Sequence, residues 1–259
     1  MQFAELEPEV LITCSHCNTQ VSSTDRYCGF CGSEIGASTD SAADQKIESL
    51  KPSGLYYLIT ALLLAVYKFT EVFPSGFEGN LIISVVDAVL VTGFAWYFRR
   101  EIAGLLWPVR FNVTTVGLIV AAALIGAVFV DAFAELIERS AFGEGLYSTY
   151  EFEDTASPLL WAVIFTCAFP AVFEELAFRG FILNAIANLT SRDAAIYVSS
   201  FLFGIMHFAI LSLFWLIPLG IAFAWLRFRY KTLWYGMIAH FCYNLFITLI
   251  AFDIIPALR

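Results

Sequence analysis

Charge is what this chain most lacks. Lys, Arg, Asp and Glu make up 14% of its 259 residues, against about a quarter in an ordinary soluble domain. So thin a polar coat, beside 59% hydrophobic residues and a mean hydropathy of +0.76, excludes a disordered chain and is hard to reconcile with a single water-soluble globule. It fits a protein that crosses a membrane several times. Cysteine is sparse too: six in 259 residues are too few for a disulfide scaffold. A basic face is missing, which excludes nucleic acid as a partner. The N-terminus has no basic n-region; it carries Glu5, Glu7 and Glu9 instead, so no secretory signal peptide is expected.

The net charge of -9 sits in two places. Residues 1–54 hold eight acids and three bases, residues 131–154 hold seven acids and one base, and the remainder is slightly basic. Residues 1–36 form a separate Cys-bearing module, 37–54 a polar, flexible linker, and 55–259 the membrane domain. Apolar stretches at about 55–73, 79–98, 113–134, 158–187, 194–212, 214–228 and 233–252 are each of a length to cross hydrocarbon as a helix. The fold class is therefore all-α, a bundle of about seven spans preceded by a small module. Only Leu211–Phe214 separates the fifth and sixth candidates, so that pair is a place for a bend or re-entry. Segment 101–112 is too short to span and is expected at the interface, with Trp107 at headgroup depth.

Lys51, the trio Arg99, Arg100 and Arg110, then Arg192, and then Arg227, Arg229 and Lys231 fall in alternate loops. The positive-inside rule puts these loops and the N-terminus in the cytoplasm, as expected of a prokaryotic plasma-membrane protein. The acidic 131–154 loop is then external.

Cys14, Cys17, Cys28 and Cys31 form C-x2-C-x10-C-x2-C. Two such knuckles close a tetrahedral site of four thiolates, suited to zinc. Gly29 and Gly32 suit the tight turns, and His16 is a redundant alternative ligand. The module resembles the short zinc ribbons fused to prokaryotic membrane proteins. With four cysteines filling the site it would be structural, or a surface for docking a protein, rather than catalytic. Cys167 and Cys242 read as apolar packing residues.

Ionisable side chains in hydrocarbon are costly, so each is a candidate for function. Lys68 and Glu71 are three residues apart and read as a local pair; Asp87 reads as a hydrogen-bonded structural group, and Asp131 and Glu135 as solvated. A denser set lies downstream: Glu174, Glu175 and Arg179 in the fourth stretch, His207 in the fifth, His240 and Asn244 in the seventh. Counted from the cytoplasmic ends, Glu174 and His207 fall about 20 Å deep, His240 about 10 Å and Asn244 about 17 Å. They share a layer. Glu175 and Arg179 are i,i+4, the spacing of an ion pair on one face; Glu174 is about 100° away round the helix. Pro170 would kink that helix, and Gly180 and Gly204 would let helices approach closely.

An unpaired carboxylate with a histidine can deprotonate water, and a second histidine with an amide can donate to an oxyanion. The same Glu, His, His set could instead hold a divalent metal that activates the water. A polar network that only joins helices, or a proton relay in a transporter, are the other readings; no inverted repeat supports the last.

EELAFRG at 174–180, FGIMH at 203–207 and HFCYN at 240–244 resemble the three motifs, EExxxR, FxxxH and HxxxN, of the CAAX-processing and bacteriocin-processing protease family, also called the Abi family. The resemblance covers roughly residues 158–250. It implies an intramembrane endopeptidase in which Glu174 activates water with help from His207. It also implies that His240 and Asn244 stabilise the oxyanion, while Glu175 and Arg179 hold the helix. The substrate class it implies is a membrane-associated peptide or protein, either CaaX-like or bacteriocin-like. Members are described both as metalloproteases and as glutamate proteases. The alternative is a non-catalytic immunity or scaffold protein that keeps the fold.

Overall fold

The computed structural model describes residues 11–14, 16–22, 31, 39–107, 111–141 and 152–255. Cys28, Gly29, Gly32, Arg110 and most of the acidic loop lie outside them. The chain divides into two compact units, residues 1–49 and 50–259.

In the first unit, β1 (Leu11–Thr13) and β2 (Gln20–Ser22) pair antiparallel, with Ile12 opposite Val21. The hairpin between them is the first Cys knuckle. Cys14 N–H donates to Thr19 O and Asn18 N–H to Cys14 O, both at 2.9 Å. Asn18 adopts the left-handed conformation (φ 58°) that this turn requires.

The helices begin with α1 (Thr39–Phe69), whose residues 50–69 belong to the second unit and are apolar enough to span, followed there by α2 (Phe77–Tyr97) and α3 (Arg99–Leu106). They continue with α4 (Val113–Ala141), α5 (Pro158–Leu189), α6 (Arg192–Met206), α7 (Leu213–Tyr230) and α8 (Trp234–Ala251). Six of these are long and apolar enough to cross a membrane: α1, α2, α4, α5, α7 and α8. The remaining apolar stretch, the fifth, is α6, with 15 residues. It is a helix separate from α7, so the fifth and sixth candidates are distinct elements joined by a turn at 207–212.

Two local expectations change. The stretch read as a flexible linker is helical from Thr39. Its Ala, Gln, Lys and Glu residues are good helix formers, and α1 continues through Pro52. At the other end α1 stops at Phe69. Glu71 therefore lies beyond the helix, and the expected Lys68–Glu71 face does not exist.

Helix α5 is the centre of the bundle. Phe181 and Leu183 are fully buried. Phe181 stacks on Phe98 at 5.2 Å and meets Tyr56 edge-on at 4.9 Å, so α1, α2 and α5 share one core. Ala123, Ala127 and Val130 pack α4 against Tyr243 of α8. α6 and α7 lie close. A Cβ at Gly220 would come within 2.9 Å of the Ser200 Cβ, and one at Gly204 within 3.0 Å of Leu213. Gly180 plays no such part, because a Cβ there would make ordinary contacts of 3.7 Å. Large apolar side chains face outward, such as Leu62 and Phe129 at 67% exposure each, as lipid contact demands.

Candidate active site

The polar centre is built on an irregular helix. α5 contains two π-helical segments, Val163–Ala168 and Glu175–Ile182, on either side of Pro170. A π segment inserts a residue into the turn, and Pro170 has no N–H to give the Thr166 carbonyl. That carbonyl accepts a hydrogen bond from Nδ2 of Asn244 at 2.8 Å instead. So Asn244 on α8 is anchored to the kink of α5 through one amide hydrogen, and its second remains for another acceptor.

The two adjacent glutamates part ways. Glu175 is fully buried and its Oε1 lies 2.9 Å from the Arg179 guanidinium. Arg179 in turn donates to Gly220 O on α7 at 3.2 Å and lies over the Phe203 ring at 4.4 Å, which ties α5 to α6 and α7. The same Glu175 oxygen lies 3.2 Å from Nδ1 of His240. Gly236 makes room for this carboxylate: a Cβ there would fall 2.7 Å from Glu175 Oε2. Glu174 points elsewhere. It is 27% exposed, and its Oε2 has no hydrogen-bond partner among the described residues. Nε2 of His240 lies 3.9 Å from that oxygen.

Both histidines are oriented through Nδ1. His207, at the end of α6, sits 2.9 Å from the Phe203 carbonyl, an acceptor only. Nδ1–H must therefore donate, and Nε2 holds the lone pair in the neutral ring. His240 donates through Nδ1–H to Glu175, stacks on Phe223 at 5.1 Å, and turns Nε2 toward Glu174.

Two cavities meet here. One, of about 440 Å³, is lined by Glu174, His207, His240, Asn244, Ser212 and Trp215 among others. The other, of about 280 Å³, is lined by Glu174, His207, Lys68, Asp87 and Tyr56 among others. Glu174, His207, Phe165 and Pro170 belong to both walls.

The structure thus brings together all six residues that the sequence singles out in the membrane. It also adds four that the sequence does not signal: Thr166 and Gly220, which act through backbone carbonyls, and Gly236 and Phe223, which shape the site by contact. Asp87 lies in the smaller cavity beside the Tyr56 hydroxyl, with Oδ1 unpartnered among the described residues. Lys68 donates to the His207 carbonyl at 3.1 Å rather than to Glu71. Asp131 and Glu135 are half-buried on α4 rather than fully solvated. Cys167 is buried against Thr248 at 3.4 Å and Cys242 is half-buried, as packing residues are.

In the N-terminal unit, the sulfurs of Cys14, Cys17 and Cys31 lie within 4.8 Å of one another. Cys14 and Cys31 are 3.8 Å apart, the separation of two thiolates about 2.3 Å from a tetrahedral zinc. The set therefore fits a metal. His16 is exposed and not part of it. Among the described residues, no other three His, Cys, Asp or Glu side chains gather so closely, and Glu174, His207 and His240 do not.

Fold and site together define a multi-pass helical membrane protein whose polar centre comes from α5, α6 and α8. The segment that carries this centre, residues 156–246, matches the family described as "Type II CAAX prenyl endopeptidase Rce1-like", in agreement with the three motifs. The chain is also 30% identical over 129 residues to the "Putative membrane peptidase YdiL" of Bacillus subtilis (strain 168), covering 49% of this chain and 53% of that one. It thus spans about half the length of this curated relative. No solved structure matches the chain.

Proposed function

We propose that the protein is an intramembrane endopeptidase that cleaves near the C-terminus of a membrane-associated peptide or protein. The family match and the chemistry favour a CaaX-like substrate, with a bacteriocin-like peptide as the other member of that class. The observation that carries the reading is the division of labour between neighbouring carboxylates. Glu175 is held by Arg179 and His240, while Glu174 Oε2 has no hydrogen-bond partner among the described residues, where two cavities meet.

In this reading a water in the cavity gives its proton to Glu174. His207 Nε2, free to accept, orients the same water and supports its deprotonation. The resulting hydroxide adds to the scissile carbonyl carbon. Charge builds on the carbonyl oxygen, where His240 and the second amide hydrogen of Asn244 donate. His240 donates through Nε2 when its ring carries both protons, with Nδ1–H held by the Glu175 carboxylate. Glu174 then hands its proton to the leaving amine, which closes the proton balance. Each step uses the chain's own residues; a divalent metal held by Glu174, His207 and His240 would activate the same water.

The Cys module is a zinc ribbon in this reading, completed by Cys28, and the N-terminus faces the cytoplasm, where thiols stay reduced. The test of the activity compares membrane proteomes of cells with wild-type and Glu174→Gln protein. A substrate that keeps its C-terminal residues only in the variant supports the endopeptidase. Identical C-termini across the membrane proteome, with both proteins equally abundant, would assign the fold to a non-catalytic immunity or scaffold role.

A further inference from the structure

One end of the bundle carries bases that no step above uses. Arg99 and Arg100 open α3, Arg192 opens α6, Arg227 and Arg229 lie in the last turn of α7, and Lys231 follows it. Only Glu101 and Asp193 oppose these six bases within the same segments, so this end is strongly positive. The segments are joined. The Thr232 hydroxyl donates to Leu105 O at 2.8 Å, Leu233 N–H to the same carbonyl at 3.1 Å, and Trp234 Nε1–H to Leu106 O at 3.0 Å. These bonds fasten the end of α3 to the turn after α7. The start of α6 meets the end of α7 at Phe228, where the Arg192 guanidinium lies 5.1 Å from the ring centre and that of Arg227 4.6 Å.

Two like charges are therefore held against one ring. Arg227 is partly answered: it donates to Asn184 Oδ1 and feels the Glu101 carboxylate, though its buried Nε has no hydrogen-bond partner among the described residues. Arg192 is not answered. It is exposed and makes no ion pair or side-chain hydrogen bond among the described residues. The N-terminus of α6, a helix of 15 residues, adds its positive end beside Arg192. Such a cluster calls for an anion.

The surroundings select which anion. Trp96, Tyr97 and Trp107 flank α3 and are exposed, as aromatic residues at headgroup depth are. Down α6 from Arg192, Tyr197, Phe201 and Ile205 follow at i,i+4 spacing, all exposed. A ligand that suits this surface has a negative head among the bases and an apolar tail along α6. We propose that this end of the bundle binds an anionic phospholipid. Its phosphate is taken by Arg192, with Arg227 beside the same ring, and an acyl chain lies along Tyr197 and Phe201. A guanidinium matches two phosphate oxygens at once. A zwitterionic lipid would bring its own ammonium into the cluster and is disfavoured. The site stands apart from the endopeptidase reading, because Arg192 and His207 lie at opposite ends of α6, about 22 Å of helix rise apart.

The test uses purified full-length protein in detergent, titrated with dioleoylphosphatidylglycerol or dioleoylphosphatidylcholine, and native mass spectrometry counts the bound lipids. Wild type should take up the first phosphatidylglycerol about tenfold more tightly than phosphatidylcholine, and the preference should shrink as salt rises. Arg192→Lys should keep the preference. Arg192→Gln should cut it to about twofold, and the further change Arg229→Gln should bring it to about one. Lys68→Gln removes the same charge at the other end of α6 and should leave the ratio as in wild type. Melting temperatures in lipid-free detergent should agree among all these proteins, which separates a lost site from a lost fold. Equal binding of the two lipids by wild type overturns the proposal, as does a preference that survives Arg192→Gln with Arg229→Gln. Inorganic phosphate separates the two sources of the same chemistry: if millimolar phosphate displaces the phosphatidylglycerol, the cluster is a site for the free ion and the lipid assignment falls.

Discussion

At the scale of single residues, Glu174 and Glu175 are one peptide bond apart and do opposite things. Glu174→Gln keeps volume and hydrogen bonding while it removes the base. It should abolish hydrolysis in a purified assay while the protein inserts and melts as wild type does. Glu175→Gln and Arg179→Met each leave one buried charge without its partner, which typically costs ~3–5 kcal/mol. Both should lower the thermal midpoint and expression together with activity, and the double variant should regain part of the stability. Gly236→Ala tests the same centre from the other side. Its Cβ would enter the Glu175 carboxylate, and overpacking of this kind costs roughly 1–3 kcal/mol. The pairing of Glu175 with Arg179 could be read from their i,i+4 spacing, because helix periodicity is local. That His240 joins the same carboxylate, and that Gly236 vacates space for it, could not. Those contacts link residues more than 60 positions apart, and their side chains carry no mark of each other.

At the scale of elements, α5 works because it is not a regular helix. Pro170 was legible as a kink, since a ring in place of an N–H acts wherever the residue sits in a helix. The two π segments were not legible, because a π turn survives on tertiary contacts that hold the extra residue. Asn244 shows the cost of missing them. The sequence offers it as an oxyanion donor, yet it also satisfies the Thr166 carbonyl. Asn244→Ala should therefore do two things. Turnover should fall by about 10²–10³-fold with little change in substrate binding. Stability should also drop by about 1–3 kcal/mol from the stranded carbonyl, a loss that a melting curve would detect. Pro170→Ala restores the donor and lets α5 straighten. A misplacement of about 1 Å at the glutamate can cost around a hundredfold in rate, so activity should fall while the melting temperature holds or rises. Helix α1 carries the opposite lesson. Its polar N-terminal stretch reads as linker by composition, yet Ala, Gln, Lys and Glu are helix formers and the structure follows propensity.

At the scale of the whole molecule, spans were legible because hydrocarbon imposes its thickness on every helix, and the observed bounds fall within a few residues of the expected ones for α2, α4, α5, α7 and α8. A cysteine-accessibility map should place residues 1–50, 99–107 and 229–232 on the cytoplasmic side and 152–157 outside; the reverse pattern would overturn the orientation. Metal analysis of the full-length chain should find one zinc, lost on Cys31→Ser, with peptide hydrolysis unaffected.

The shortness of α6 has a consequence for the membrane itself. Its 15 residues rise about 22 Å, against a hydrocarbon core of about 30 Å. The helix ends at His207, where the Lys68 ammonium caps its carbonyl, and a turn at 207–212 follows. A span shorter than the hydrocarbon core is met by local thinning of the bilayer, so headgroups and water should descend toward the layer of Glu174 beside α6. The proposed activity should then depend on bilayer thickness. Reconstituted in lipids with progressively longer acyl chains, the protein should lose turnover as the thinning becomes harder to form, while its fold and its affinity for zinc stay constant.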